Sequence, residues 1–172
     1  MPLTQIDVKT IELNPFTLMD EDWMLITAGD AQACNTMTAS WGGLGELWNE
    51  DVVTIYVRPQ RYTKTFLDAK DTFSCCFFDE RFREMMRYCG RVSGRDEDKI
   101  QKAGLHVLYD EAGTPYFEEA RMVLLCQKIY CAPLDPKGIV VPAYDQNYYA
   151  DQDYHTMYIG KVQKVLMQEL QI

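Results

Sequence analysis

The chain has 172 residues, and its 26 acidic against 17 basic residues give a formal net charge of -9. This acidic balance argues against binding of nucleic acid or of an anionic membrane, because both need a basic face that neutralises phosphates. The sequence shows no apolar run of 18 residues, no signal peptide and no lipidation motif, which predicts a soluble, cytoplasmic protein. The length fits one domain over residues 1–172.

Short segments rich in β-branched and aromatic residues, each bounded by turn residues, predict strands in the first half of the chain. These predicted strands are 23–29, 34–41, 52–57 and 72–78. Residues 80–89 carry apolar side chains with the spacing of one helix face, and 98–103 suit a further helical turn. The later predictions are a strand over 119–131, with a helix as the alternative, a loop or short helix over 143–151, and a closing strand over 158–170.

The second predicted strand has an unusual run of hydroxyl side chains. Because successive side chains of a strand point to opposite faces, alternation separates the hydroxyl residues from the apolar ones. One face would carry Thr36, Thr38 and Ser40, and the other Met37, Ala39 and Trp41. The hydroxyl face suits a polar ligand, and an ordinary solvent-facing strand is the alternative. Gly42 and Gly43 then allow the backbone to turn closely.

A basic cluster follows the third predicted strand of this acidic chain. Arg58, Arg61 and Lys64 lie within seven residues, and a short helix from Thr63, with Thr63 as its N-cap, would direct backbone N–H groups toward the arginines. Guanidinium groups bind phosphate oxygens through paired, charge-assisted hydrogen bonds. The cluster therefore predicts a site for a phosphate monoester. The alternative is two surface arginines that pair with neighbouring acids.

The cysteines and histidines do not indicate a metal site. None of the six cysteines forms a C-x-x-C pair, and only two histidines are present. Adjacent Cys75 and Cys76 would point to opposite faces of a strand. We therefore predict no bound metal and mostly buried, reduced thiols.

Four segments, in this order, resemble the flavin reductase-like, FMN-binding split-barrel family. They are residues 35–42 (NTMTASWG), 57–63 (VRPQRYT), 89–99 (CGRVSGRDEDK) and 155–162 (HTMYIGKV). The resemblance extends over about residues 15–165. It implies a mainly β fold, namely an FMN-binding split β-barrel of the α+β kind with short helical insertions.

The same resemblance implies a function and partners. The protein would be an oxidoreductase that binds FMN and passes electrons from NADH or NADPH through FMN to a small-molecule acceptor, a partner protein or released flavin. It would form a homodimer with the flavin near the subunit interface. Two alternatives remain open: a flavoredoxin-like electron carrier, and a flavin-binding or sensing protein without turnover.

The resemblance also assigns candidate site residues. The cofactor-binding candidates are Asn35, Thr36, Met37, Thr38, Ala39, Ser40, Trp41, Arg58, Arg61, Tyr62, Thr63, Lys64, Cys89, Ser93, Gly94 and Lys99. His155 is the candidate catalytic residue, with a structural histidine as the alternative. Cys89, just before the glycine-rich loop, is either a redox-sensitive thiol near the flavin or a packing residue.

Overall fold

The computed structural model of the protein describes residues 2–168, and antiparallel strands make up most of its regular structure. Within this range the strands are β1 (Leu3–Ile6), β2 (Met24–Gly29), β3 (Cys34–Ala39), β4 (Gly42–Leu47), β5 (Glu50–Val57), β6 (Thr72–Phe77), β7 (Val107–Tyr109), β8 (Pro115–Phe117), β9 (Met122–Pro133) and β10 (Thr156–Gln168). The helices of the same range are α1 (Pro15–Thr17), α2 (Tyr62–Ala69), α3 (Arg83–Arg91), α4 (Lys99–Lys102) and α5 (Pro142–Tyr148). A π-helical turn, Leu18–Asp22, leads into β2.

Eight strands form one antiparallel sheet in the order β3-β2-β6-β9-β10-β5-β4, with β1 paired to β10. β3 and β4 lie at opposite ends of this order, although only residues 40–41 separate them in the chain. The sheet must therefore curl until its two ends approach each other. At Gly42 of β4, a Cβ atom would lie 2.6 Å from the carbonyl oxygen of Thr54 and 3.2 Å from the Met24 side chain of β2. The result is a barrel that is open between β3 and β4.

Both faces of the central strands are buried. One core fills the inside of the curled sheet with side chains such as Ile26, Ile55 and Phe73. A second core lies outside β2, β6 and β9, where α3 and β8 cover Leu25 and Val123. Because both faces are covered, these strands are continuously apolar in sequence, as in the buried pattern of β2.

The helices occupy the edges of the barrel. α2 follows the end of β5, α3 packs beside β3, and α5 lies in the connection from β9 to β10. α4 begins at Asp98, whose side chain accepts a hydrogen bond from the backbone N–H of Gln101. Among residues 2–168, no helix combines the length and the apolar character needed to cross a bilayer.

Most of the predicted elements are confirmed. The strands at 23–29, 34–41, 52–57, 72–78 and 119–131, the helices at 80–89 and 98–103, and a short helix within 143–151 all appear with small shifts in their bounds. The predicted closing strand is present as β10, and its predicted residues 169–170 lie outside the described part.

The sequence analysis missed β1, β4 and the β7–β8 hairpin. Gly42 and Gly43 do not form the predicted close turn, since they begin β4 and pair with Ile55 and Thr54. The predicted N-cap of α2 is also wrong: the helix begins at Tyr62 with Arg61 as N-cap. Thr63 is the second residue of the helix, and its hydroxyl accepts a hydrogen bond from Asn35 Nδ2 at 2.8 Å.

Candidate functional site

A cavity of about 200 Å³ lies where the barrel is open, between the end of β3 and the end of β5. Its walls bring together residues that are far apart in the sequence. The lining residues are Met37, Thr38, Ala39, Ser40, Trp41, Tyr56, Arg58, Arg61 and His155. All of them except Tyr56 belong to the candidates of the sequence analysis. The structure thus joins the hydroxyl-rich strand, the two arginines and the late histidine in one place.

One wall of the cavity is the free edge of β3. This strand pairs with β2 on one side only, so every second backbone N–H and C=O of β3 faces away from the sheet. Thr38 directs its hydroxyl to the helix beside the edge and donates to the carbonyl oxygen of Met86 at 2.5 Å. The backbone of the remaining residues of the wall can therefore offer both donors and acceptors to a planar polar ligand.

The two arginines of the cavity differ in how they are engaged. Arg58 donates to Asp153 Oδ2 at 2.7 Å and to the carbonyl oxygen of Tyr148 at 2.9 Å, so its charge is already balanced. Arg61 donates to the carbonyl oxygen of Gly90 at 2.8 Å and makes no ion pair with a carboxylate among residues 2–168. Burial, and after it the neighbouring charge of Arg58, lower the pKa of Arg61. Arg61 is therefore the side chain at this cavity whose positive charge most needs an anion.

His155 closes another side of the cavity and is almost completely buried, with 6% of its surface exposed. Burial is the main cause that lowers its pKa to about 4, and the charge of Arg58 lowers it further. The imidazole is therefore neutral at physiological pH. Its Nδ1 atom lies 2.8 Å from the hydroxyl oxygen of Tyr149. The ring of Trp41 is tilted against it with centroids 5.2 Å apart.

Exposed aromatic side chains surround the mouth of the cavity. Trp41 is 44% exposed and meets the ring of Tyr148 edge-on, with centroids 5.5 Å apart. Tyr148 in turn stacks with Tyr144 of α5 at 6.3 Å. Such apolar rings at an opening favour a ligand with a flat aromatic surface.

A second cavity of about 450 Å³ shares Ser40 with the first. Its other walls are the edge of β4 at Gly42 and Gly43, and the helical segment that includes Phe16. The first cavity alone is smaller than the roughly 300–1,000 Å³ of typical ligand sites, and the two together fall within that range. Ser40 lines both cavities, and the two cavities together are called the groove at residues 40–43 below.

Several predicted site residues lie beside the cavity without lining it. Thr36 is fully buried, and its hydroxyl is bonded to Thr27 Oγ1 at 2.8 Å inside the sheet, so its side chain does not face the cavity. Asn35 and Thr63 are also buried and bond to each other. Gly94 packs on this pair, since a Cβ atom there would overlap the amide oxygen of Asn35. These residues position β3, α2 and the loop after α3 relative to one another.

Two predicted cations are occupied elsewhere. Lys64 donates to Asp68 Oδ2 at 2.7 Å on the surface of α2. Lys99 is buried and donates to the carbonyl oxygens of Cys89 and Val92 at 2.9 and 3.0 Å, at the end of α3. Burial lowers the pKa of Lys99 to about 8. In this structure both lysines are bonded to groups of the protein and neither lines the cavity, and their predicted contact with the cofactor stays a prediction.

Three further candidates also lie outside the cavity wall. Cys89 is fully buried in the outer core, and burial raises the pKa of its thiol to about 11, which favours the packing role over the redox-sensitive one. Tyr62 holds the guanidinium of Arg95 above its ring at 4.7 Å. Ser93 accepts a hydrogen bond from the backbone N–H of Arg95 at 3.2 Å. Tyr62 and Ser93 thus stabilise the loop next to Arg61.

The sequence analysis missed Tyr56, Tyr149 and Asp153. Tyr56 lies in β5 two residues before Arg58, which directly follows the strand, so the two-residue period of an extended chain already places both on one face. Asp153 and Tyr149 show no such periodic pattern, because they lie in the connection from α5 to β10. They contact Arg58 only in the folded structure.

The chain was compared with known proteins. Residues 18–171 match the family described as the flavin reductase like domain. No curated protein matches the chain. Solved structures with the same fold include flavoredoxin from Methanosarcina acetivorans, which is 20% identical over 93% of this chain and 76% of its own, with a TM-score of 0.68. An FMN-binding protein from Thermus thermophilus is 19% identical over 83% of this chain and 68% of its own, with a TM-score of 0.66.

A third similar structure is the NADH:FAD oxidoreductase of Streptomyces globisporus, 18% identical over 86% of this chain and 75% of its own, with a TM-score of 0.65. At these identities the similarities establish the fold. The prediction of a mainly β split barrel with short helices is confirmed.

Proposed function

The chain belongs to the flavin reductase-like domain family, and from this premise we propose that it binds FMN in the groove at residues 40–43 and beside Arg61 and works as an oxidoreductase. The observation that carries the proposal is the cavity itself. It combines a free strand edge, an arginine without a carboxylate partner and an aromatic rim at one opening of the barrel. These three features suit FMN, which consists of a flavin ring, a ribityl chain and a phosphate.

The donor set fits FMN better than it fits an uncharged ligand. On a chain of net charge -9, a phosphate is repelled by most of the surface and needs a local cation. Arg61 supplies that cation, because its guanidinium keeps further N–H groups beyond the one on Gly90. We assign the phosphate end to Arg61 and the ring end to the edge of β3 and to Trp41.

Bound FMN would supply the redox chemistry, because protein side chains do not themselves accept and release electron pairs in this way. The residues of the chain bind and orient the cofactor. The edge of β3 would offer hydrogen bonds to the polar rim of the flavin ring, and the aromatic pair of Trp41 and Tyr148 would cover part of that ring. His155 is a neutral hydrogen-bonding group at the same cavity.

We further propose that NADH or NADPH is the electron donor and that a small molecule or a partner protein is the acceptor. The similar NADH:FAD oxidoreductase of Streptomyces globisporus supports the donor. A flavoredoxin-like electron carrier is the second candidate, and the similar flavoredoxin of Methanosarcina acetivorans, which covers 93% of this chain, supports it. We also propose that the protein is a homodimer and that it is located in the cytoplasm.

The test is the visible absorption of the purified protein with FMN under anaerobic conditions, before and after NADH or NADPH is added. A free-FMN sample serves as the control. We expect the flavin spectrum to change on binding and to bleach faster than free FMN with one of the two donors. Bound flavin that neither donor bleaches would favour the carrier over the reductase. Absence of any flavin binding would reject the proposed function.

A further inference from the structure

His155 and Tyr149 form a hydrogen-bonded pair at the back of the cavity. The hydroxyl oxygen of Tyr149 lies 2.8 Å from His155 Nδ1, and the two rings meet edge-on with centroids 5.6 Å apart. Arg58 lies over the Tyr149 ring, 5.3 Å from its centroid. The ring of Tyr149 thus contacts both the arginine and the histidine, and these contacts hold its hydroxyl in place relative to the imidazole.

The pair has two possible hydrogen arrangements, because a neutral imidazole carries its proton on one nitrogen only. Either Tyr149 donates to Nδ1 and the proton of the ring is on Nε2, or Nδ1–H donates to the phenol oxygen. In the second arrangement the phenol proton needs another acceptor, and Tyr149 Oη has none within the described range 2–168. Burial raises the pKa of Tyr149, so the phenol keeps its proton. Donation from Tyr149 to Nδ1 satisfies both groups.

The second ring nitrogen, Nε2, has no hydrogen-bond partner in the described part of the chain. It is not fully buried either, because the fully buried side-chain atoms that lack a partner in that part do not include it. It therefore reaches accessible space, and the accessible space beside His155 is the cavity. We propose that Tyr149 is a positioning residue that holds His155 as the Nε2–H tautomer, so that the imidazole presents a hydrogen-bond donor to an oxygen of the bound ligand.

This inference rests on the proposed function only for the identity of the ligand. An Nε2–H group donates and cannot accept, so the ligand atom opposite it is an accepting oxygen, such as a carbonyl oxygen of a flavin ring or of an electron acceptor. A ligand with an N–H group at that point would be rejected, because two donors would face each other in a buried site.

The charges around His155 favour a neutral donor over an imidazolium. Arg58 and Arg61 lower the pKa of His155, while Asp153 raises it with a smaller effect than burial and Arg58. Trp41 contributes only its ring. The donor is therefore present from neutral pH down to about pH 5, and its hydrogen bond does not depend on protonation in that range.

The first experiment is nitrogen NMR of the flavin-free protein with ¹⁵N-labelled histidine. The chain has two histidines, and His106 is identified by its loss in a His106→Gln variant. We expect His155 Nδ1 to resonate as an unprotonated nitrogen and Nε2 as a protonated one, with no titration between pH 8 and 5. The opposite assignment of the two nitrogens, or a titration near pH 6.5, would overturn the inference. This result does not depend on whether the protein binds flavin.

Tyr149→Phe removes the hydroxyl and keeps the ring over which Arg58 lies. Tyr154→Phe is the matched control, because its hydroxyl donates to Asp145 at 2.7 Å while its ring packs on Tyr149 at 4.7 Å. We expect the two His155 resonances to shift toward each other in Tyr149→Phe, as the second tautomer becomes populated, and to stay in place in Tyr154→Phe. Equal spectra for wild type and Tyr149→Phe would contradict the positioning role.

The ligand side is tested with riboflavin, which lacks a titrating phosphate. In wild type we expect riboflavin affinity to be constant between pH 8 and 5. His155→Gln keeps an N–H group near the position of Nε2 and should bind riboflavin within about threefold of wild type, while His155→Leu should bind more weakly than His155→Gln. Equal binding by the two variants would show that no oxygen of the flavin meets Nε2. If riboflavin binds to none of these proteins, the proposed function fails while the tautomer measured by NMR stands.

Discussion

Replacement of Arg61 by alanine is the substitution that should most selectively weaken FMN binding. Its guanidinium lies at the cavity, donates one hydrogen bond to Gly90 and has no carboxylate partner in the described part of the chain. A hydrogen bond between charged groups contributes about 1.5–3 kcal/mol, and water compensates part of the loss when one partner is removed. We therefore expect Arg61→Ala to weaken FMN binding by about 1–3 kcal/mol, or about 5- to 150-fold.

The assay is titration of the flavin-free protein with FMN and, separately, with riboflavin, followed by flavin fluorescence at low and high salt. Riboflavin has no phosphate, so Arg61→Ala should change its affinity much less than that of FMN. The control variant is Arg87→Ala, which removes an exposed arginine that pairs with Glu84 on α3, away from the cavity. The gap between FMN and riboflavin should narrow as salt screens the charges.

Two outcomes would refute the assignment of Arg61. If Arg61→Ala weakens FMN and riboflavin equally, the arginine acts by holding the loop at Gly90 and not by binding phosphate. If FMN affinity is unchanged while the thermal unfolding midpoint is also unchanged, the phosphate binds elsewhere.

Three further predictions follow from burial and packing. His155 has a pKa of about 4 in the folded protein against an ordinary 6.5, so the unfolded chain takes up a proton first as the pH falls. In urea unfolding, wild type should therefore lose about 1–2 kcal/mol more stability than His155→Gln between pH 7 and 5. Equal losses would contradict the lowered pKa. Gly94→Ala forces a methyl group onto the buried amide oxygen of Asn35 and should destabilise the protein by about 1–3 kcal/mol. In Gly45→Ala the added methyl group meets no atom within 4 Å, so this variant should be as stable as wild type. Similar melting temperatures for the two variants would show that the loop after α3 adapts. Exposed Cys131 should react with a thiol reagent at neutral pH while buried Cys89 should not, and fast labelling of Cys89 in peptide mass mapping would restore its redox role.

Much of the barrel could be predicted from sequence because its strands are short, β-branched and separated by turn residues. β4 was not predicted because three of its six residues are glycine, Gly42, Gly43 and Gly45, which weaken the strand signal and suggest a turn. The structure shows that Gly42 must lack a side chain, because a Cβ atom there would lie 2.6 Å from the carbonyl oxygen of Thr54 in β5, the strand that pairs with β4. This requirement comes from the packing of β4 in the folded sheet and not from local preference.

The candidate site was predicted in part. Residues 37–41 and the two arginines were found because their types suit a phosphate and a planar ring, and the fold does bring them together. The two lysines do not line the cavity, and the sequence could not show this because it gives a charge but not its partner: Lys64 has an acid one helical turn away, and Lys99 donates to carbonyl oxygens. The bond between Thr36 and Thr27 likewise depends on the register of β2 and β3, which the alternation pattern alone does not fix.

The role of His155 illustrates the same limit. Its type and position suggested a site residue, while the features that define its chemistry come from Tyr149 and Arg58, which are brought to it by the connection after α5 and by the end of β5. Neither contact leaves a periodic pattern in the sequence. Burial and partner choice therefore had to come from the structure.

The most direct test of the proposed site is a crystal structure of the protein with FMN. We expect the phosphate within hydrogen-bonding distance of Arg61, the ring along the edge of β3 beside Trp41, and an oxygen of the ligand opposite His155 Nε2. FMN bound at another surface, with the groove at residues 40–43 empty, would contradict the assignment of this cavity as the flavin site.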